Sequence, residues 1–222
     1  MRALSIASVA LCVVACTSAR ATAPASEPAT APRYLALGDS FTIGTGSTPE
    51  QSYPARLTAL SSCTVELRNV GVNGYTTEDV IEEELPELAR FAPTFVSLAI
   101  GANDIVQGHT PEEYREHVRH IVAAVKASGA KRIVSLPQPD WSLSPAARSF
   151  GEAPAIHARI VEANAILRDE TLAVGGSFAD LFPLMEAQAH AGMIAGDGLH
   201  PSAAAYAAWA TELARQGVSP CG

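Results

Sequence analysis

The pattern that most restricts the fold of this chain is an alternation. From residue 34 onward, short apolar runs closed by a glycine or a turn take turns with segments of helical periodicity. Tyr34-Leu35-Ala36-Leu37 stops at Gly38, and Phe95-Val96-Ser97-Leu98-Ala99-Ile100 stops at Gly101. Arg132-Ile133-Val134-Ser135-Leu136 runs into a Pro-rich loop over 137–154. Runs this short and this apolar fit strands buried on both faces. Thr64-Val65-Glu66-Leu67-Arg68-Asn69-Val70 alternates instead, as an edge strand does, and a last short strand is expected at Ser177-Phe178-Ala179-Asp180.

Helices fill the gaps. One is expected over 53–60. Another starts at Thr76 or Thr77 and passes through Val80, Ile81, Leu85 and Leu88, with Pro86 kinking it. Thr110-Pro111-Glu112-Glu113 combines a capping Thr, a Pro at the first position and a Glu at the third, which is a strong helix start. That helix sets Tyr114, Val118, Ile121, Val122 and Val125 on one face and stops at Ser128-Gly129. Further helices are expected over 155–172, around 184–191, and from Pro201 to beyond Leu213. Repeated strand–helix units in so short a chain predict a parallel sheet with helices on both faces. Open sheets of this kind bind ligands beyond the C-terminal ends of their strands.

The first residues read differently. Arg2 precedes an apolar stretch over 3–15, too short to span a bilayer and of the right length for an export signal. Its end, Val13-Val14-Ala15-Cys16, resembles a bacterial lipobox, in which Cys16 would carry the lipid. Cleavage after Ala21 or Ala23 is the alternative. Residues 16–32 are rich in Ala, Thr, Ser and Pro, a composition that reads as a tether between anchor and domain. The domain itself is then 33–222. The expected location is outside the cytoplasm, anchored to the cell envelope by lipid, or secreted or periplasmic if Cys16 is not modified. A net charge of −8 without any basic run argues against nucleic acid as a partner.

Of the four Cys, Cys12 and Cys16 fall in the leader, which leaves Cys63 and Cys221. An exported compartment permits a disulfide between them; two free thiols are the other possibility. Two Cys are too few for a structural zinc site. Glu113, His117 and His120 share a helix face but lack an evident fourth ligand, and read as a solvated polar face. No metal or cofactor is expected.

The chemistry lies at the strand ends. Ser40 closes Leu37-Gly38-Asp39-Ser40 directly after the first strand. His200 follows Asp197 by three residues in Asp197-Gly198-Leu199-His200-Pro201. A nucleophilic Ser, a His base and an Asp that orients the imidazole are the three parts of a catalytic triad. Gly74, in Asn73-Gly74, and Asn103, in Gly101-Ala102-Asn103-Asp104, would add a backbone N–H and a side-chain amide to an oxyanion hole. The α/β-hydrolase elbow Gly-x-Ser-x-Gly is not present, since Thr42 stands two residues after Ser40.

Taken in order, these blocks resemble the SGNH (or GDSL) hydrolase family over residues 34–213. Gly38-Asp39-Ser40-Phe41 is similar to its first block, with Phe41 where Leu is usual. Gly74, Gly101-Ala102-Asn103-Asp104 and Asp197-Gly198-Leu199-His200 are similar to the other three. The resemblance implies a flavodoxin-like three-layer α/β/α sandwich whose five-stranded parallel sheet has order 2-1-3-4-5. In that order the first and last helices share a face, which implies a Cys63–Cys221 bridge. It also implies a serine ester hydrolase forming an acyl-enzyme, with Ser40, Asp197 and His200 catalytic and Ser40, Gly74 and Asn103 as the oxyanion hole. The substrate would be a small-molecule ester with a short or medium acyl chain, or a lipid-like one. Carbohydrate O-deacetylation is the alternative, and an inactive binding protein a more distant one. Trp141 and Leu143, with Phe150, are the expected acyl-binding wall; Phe41 is expected to stand outside the chemistry.

Overall fold

The computed structural model describes residues 31–221; the leader, Cys16 and nearly all of the tether lie outside them. Five parallel strands form one sheet: β1 (Arg33–Gly38), β2 (Glu66–Asn69), β3 (Phe95–Ala99), β4 (Arg132–Ser135) and β5 (Ser177–Phe178). Their order is β2-β1-β3-β4-β5, as expected. β1 and β3 are central and buried, while β2 lies at an edge and is mostly half-exposed, which accounts for its alternating sequence. β5 is shorter than the four residues expected, but the Ala179 N–H still reaches the Ser135 carbonyl.

Nine α-helical segments connect and flank the strands among the described residues: α1 (Ser40–Ile43), α2 (Tyr53–Ala59), α3 (Thr77–Asp79), α4 (Pro86–Phe91), α5 (Ala102–Gln107), α6 (Pro111–Ala127), α7 (Ala153–Ala173), α8 (Phe182–His190) and α9 (Ala203–Arg215). α2 packs against α9, and α6 against α7. The predicted inward face of α6 is buried throughout, and Thr110 and Glu113 form the expected capping box. On α7, Ile156, Ile160, Ala163 and Leu167 all turn inward.

Three local expectations change. The single kinked helix after Thr76 is two helical pieces separated by a π-helical turn over Val80–Glu84. Pro86 has no N–H to donate and its ring crowds the preceding turn, so the wider turn absorbs the misfit. The expected Pro-rich loop over 137–154 holds 3₁₀ turns at Trp141–Leu143 and Pro145–Ser149, and its last two residues already belong to α7. Finally, Pro201 does not open the last helix. It pairs with Ile194 in an isolated antiparallel bridge, and Ser202 caps α9 by accepting from the Ala205 N–H.

The sulfurs of Cys63 and Cys221 are bonded, with their Cα atoms 5.9 Å apart. Cys63 follows α2 and Cys221 follows α9, so the packing of these two helices brings the pair together.

Candidate active site

Register places the site. Gly38 pairs with Ala99, so the chain leaves β1 and β3 side by side and carries Ser40 and Asn103 out over the same sheet end. The exit from β1 is tight. Gly38 has φ 142°, and a Cβ there would lie 2.1 Å from the Ala99 carbonyl oxygen, so only glycine fits. Asp39 then caps α1, its carboxylate accepting from the Phe41 N–H at 2.9 Å, and Ser40 becomes the first residue of that short helix.

Gly74 is required for another reason. Its φ of 87° is a left-handed conformation, but a Cβ there would meet nothing within 4 Å. The backbone conformation selects glycine here, and crowding does not. The next residue links this loop to the third block: the Tyr75 carbonyl accepts from Asn103 Nδ2 at 2.9 Å. One amide hydrogen is thus used to fix Asn103, which leaves the other free to donate.

His200 is held by its own loop and not by a following helix turn. Its carbonyl accepts from the Ala195 N–H at 2.7 Å, beside the Ile194–Pro201 bridge. Its Nδ1 lies 2.8 Å from Asp197 Oδ2. Asp197 Oδ1 accepts from the N–H groups of Leu199 and His200 at 2.9 and 3.0 Å. Partial burial works against the Asp197 carboxylate, but these N–H groups and the imidazole outweigh it and hold its pKa below the ordinary value. The Gly198 carbonyl accepts from the Ala146 N–H, which ties the 137–154 segment to the same loop.

Ser40, Gly74, Asn103 and His200 line one cleft that is open to solvent. Phe41, Val106, Trp141, Phe150 and Leu199 provide its apolar wall. Trp141 is where the sequence predicts it, in edge-to-face contact with Phe150 at 5.9 Å. Leu143 is a correction: it is 37% exposed and is not part of the lining, because the 3₁₀ turn after Asp140 points it elsewhere. Phe41, expected outside the chemistry, has a place in the wall that the sequence does not signal. Its ring lines the cleft and lies 5.4 Å from the His200 ring, so it shapes the space beside the imidazole. Val106 has no signal in the sequence beyond being an apolar residue near the third block, and Leu199 none beyond its place inside the fourth.

A further residue, Glu84, sits beneath the Ser40 turn. The π-helical segment turns it inward, where one carboxyl oxygen accepts from the Gly38 N–H at 2.8 Å. Burial, with Asp39 nearby, pushes its pKa up to about 9, and burial pushes that of Asp39 up to about 8. Both acids therefore keep their protons when folded at pH values where the unfolded chain has lost them. Their stabilising contribution is complete below about pH 4 and is lost as pH rises towards 8–9. Glu84→Gln keeps the acceptor for Gly38 and has no proton to lose. It is expected to flatten the decline in Tm between pH 5 and 9 and to melt roughly 5 °C above wild type at pH 8. Calorimetric melts across that range check this; parallel curves for the two proteins would contradict it.

Known proteins share the family and the fold of this chain. Residues 36–208 match the model of the GDSL-like lipase/acylhydrolase family. The thioesterase 1/protease 1/lysophospholipase L1 of Escherichia coli K12 is 26% identical over 104 residues, which is 47% of this chain and 50% of that protein. The chain thus spans about half the length of the curated relative it matches. LAE5, an α/β hydrolase enzyme from the metagenome of Lake Arreo, Spain, has the same fold, with TM-score 0.69 and 21% identity over 84% of this chain and 95% of its own. Axe2, an acetylxylan esterase from Geobacillus stearothermophilus, has TM-score 0.67 and 19% identity over 83% and 93%. With the family model covering most of the described domain, from the first strand into the last helix, the chain belongs to the GDSL-like lipase/acylhydrolase family.

Proposed function

We propose that the protein is a carboxylic ester hydrolase that works through an acyl-enzyme on Ser40. The observation that carries this reading is the shared cleft: Ser40, Gly74, Asn103 and the His200–Asp197 pair meet around one open space. Asp197 accepts the Nδ1 proton, which leaves Nε2 of His200 as the base. Nε2 takes the hydroxyl proton as Ser40 Oγ bonds to the ester carbonyl carbon. The resulting oxyanion accepts from the N–H groups of Ser40 and Gly74 and from the free hydrogen on Asn103 Nδ2. Collapse breaks the bond to the alcohol oxygen, which receives the proton from His200. Water then gives a proton to His200, attacks the acyl carbon and releases the acid, and Oγ regains its proton. No step needs a metal or a cofactor.

The apolar wall of Phe41, Val106, Trp141, Phe150 and Leu199 favours a short or medium acyl chain, or a lipid-like ester. A second reading, removal of acetyl groups from carbohydrate, draws on the likeness to Axe2 and on the Trp141–Phe150 pair. Against it, Trp141 is only 4% exposed and offers little face for a sugar ring to stack on. The deciding experiment sets p-nitrophenyl esters of increasing chain length beside an acetylated xylo-oligosaccharide and a lysophospholipid. Mass mapping of a fluorophosphonate adduct completes it. An adduct on Ser40 with turnover that peaks at short or medium chains supports the main reading, and turnover confined to the acetylated sugar supports the second. A folded protein without adduct or turnover would be a binding protein.

Asn103→Ala is expected to lower kcat by about 10²–10³ with KM little changed, since the amide acts on charge that develops only in the transition state. Steady-state kinetics on the preferred ester test it. We further propose that the enzyme works outside the cytoplasm, held at a membrane by lipid on Cys16. Cys16→Ser would then move activity from the membrane fraction to the soluble one.

A further inference from the structure

The helix face carrying Glu113, His117 and His120 acquires partners from elsewhere in the chain once it is folded. Asp104 follows Asn103 on α5 with its side chain only 3% exposed. Its carboxylate accepts from the Thr77 N–H and hydroxyl at the start of α3, and lies 3.2 Å from His109 Nδ1. His117 reaches in from α6, its Nδ1 3.0 Å from the same Thr77 hydroxyl. The His109 and His117 rings stand nearly perpendicular, 6.2 Å apart. One donor atom from each of Asp104, His109 and His117 lies within 4.8 Å of the other two.

We propose that Asp104, His109 and His117 form a binding site for one divalent transition-metal ion, with zinc as the first candidate. Two imidazoles and a carboxylate are a nitrogen–oxygen donor set suited to late first-row metals. Four-coordinate zinc with bonds of about 2.0–2.2 Å needs donor atoms roughly 3.3 Å apart, so the three groups must draw in by up to about 1.5 Å. The two imidazoles are partly exposed and can rotate to do this. Asp104 need not move, for Thr77 already fixes it in the way an outer hydrogen bond fixes a metal-binding carboxylate. The exposed side of the imidazoles leaves the fourth position to water. Of the two clusters of this kind among the described residues, the other joins Asp140, His157 and Glu186. It has a single imidazole, already paired with Asp140 at 2.6 Å, and is the weaker zinc site.

A bound ion would link α5 and α6 and, through Thr77, α3. It would lie behind the segment that carries Asn103 and take no part in ester cleavage. The test uses the full chain stripped of metal with a chelator. It is titrated with Zn(II) by calorimetry and with Co(II) by visible absorption, beside His109→Ala, His117→Ala and His157→Ala. The expected result is one ion per chain, the intense visible bands of four-coordinate Co(II), and a higher Tm with zinc. His109→Ala and His117→Ala should each weaken binding by about 100-fold or more, and His157→Ala should leave it unchanged. Circular dichroism confirms that each variant is folded; should one fail to fold, the wild-type Co(II) spectrum and His117→Gln decide. Absence of saturable binding, binding that survives both variants, or loss only in His157→Ala would overturn the proposal.

Discussion

Ser40→Ala is expected to lower kcat on a short p-nitrophenyl ester by about 10⁴–10⁶ while leaving KM and Tm close to those of the wild type. The change removes one oxygen atom from a residue that is buried at the first position of α1. The turn around it is built by other groups. Gly38 permits it, Asp39 caps α1, Glu84 holds the Gly38 N–H, and Thr42 donates to the carbonyls of Leu37 and Ala99. None of these involves the Ser40 hydroxyl, so the fold should survive its loss. What disappears is the atom that becomes acylated, and the oxyanion donors that remain can speed only the direct attack of water. His200→Ala should cost a similar factor, because Ser40 and His200 act as one unit and their losses do not add. Stopped-flow and steady-state assays on the purified chain check this. Residual activity within tenfold of wild type would remove Ser40 from the mechanism.

The largest expected effect on stability comes from the bridge. Replacing both Cys63 and Cys221 by Ser is expected to destabilise the domain by about 4–5 kcal/mol and to lower Tm by roughly 10–20 °C. The two Cys are 158 residues apart in sequence, so the bond closes β2 to α9 into one long loop and removes that much freedom from the unfolded chain. Cys63 precedes β2, which puts the bridge at the N-terminal end of the sheet, opposite the cleft. kcat at 25 °C should therefore stay unchanged, which separates lost stability from a damaged site. Thermal melts of oxidised wild type and the double variant provide the measurement. A shift of Tm below about 2 °C would mean that the unfolded chain gains little from losing the link.

Much of the fold is legible in the sequence. Strand and helix positions follow from local periodicity, and the Thr110 capping box from four adjacent residues. The expectations that changed share one cause. Pro86 marks a disturbance in the helix before it, but whether the chain kinks or widens into a π turn depends on the packing around Glu84. Pro201 has the composition of a helix start, yet its partner is Ile194 across a loop. Leu143 and Phe150 are both apolar residues of one segment; the 3₁₀ turns decide that only Phe150 lines the cleft.

The sequence by itself determined the alternation of strand and helix, the four blocks that hold Ser40, Gly74, Asn103 and His200, and the Asp197–His200 pair, whose members are close enough along the chain to meet without help. Each of these rests on residue type and short spacing, which local backbone geometry converts directly into position. Only the tertiary structure decided that Glu84 lies under Gly38, that Phe41 packs beside the His200 imidazole, and that His109 and His117 gather at Asp104. Except for His109 and Asp104, those partners are separated by 13 to more than 100 residues in sequence. No periodic pattern encodes such meetings; they follow from the pairing of β1 with β3 and the packing of helices against the sheet, where the burial of apolar faces sets distances that side chains only then exploit.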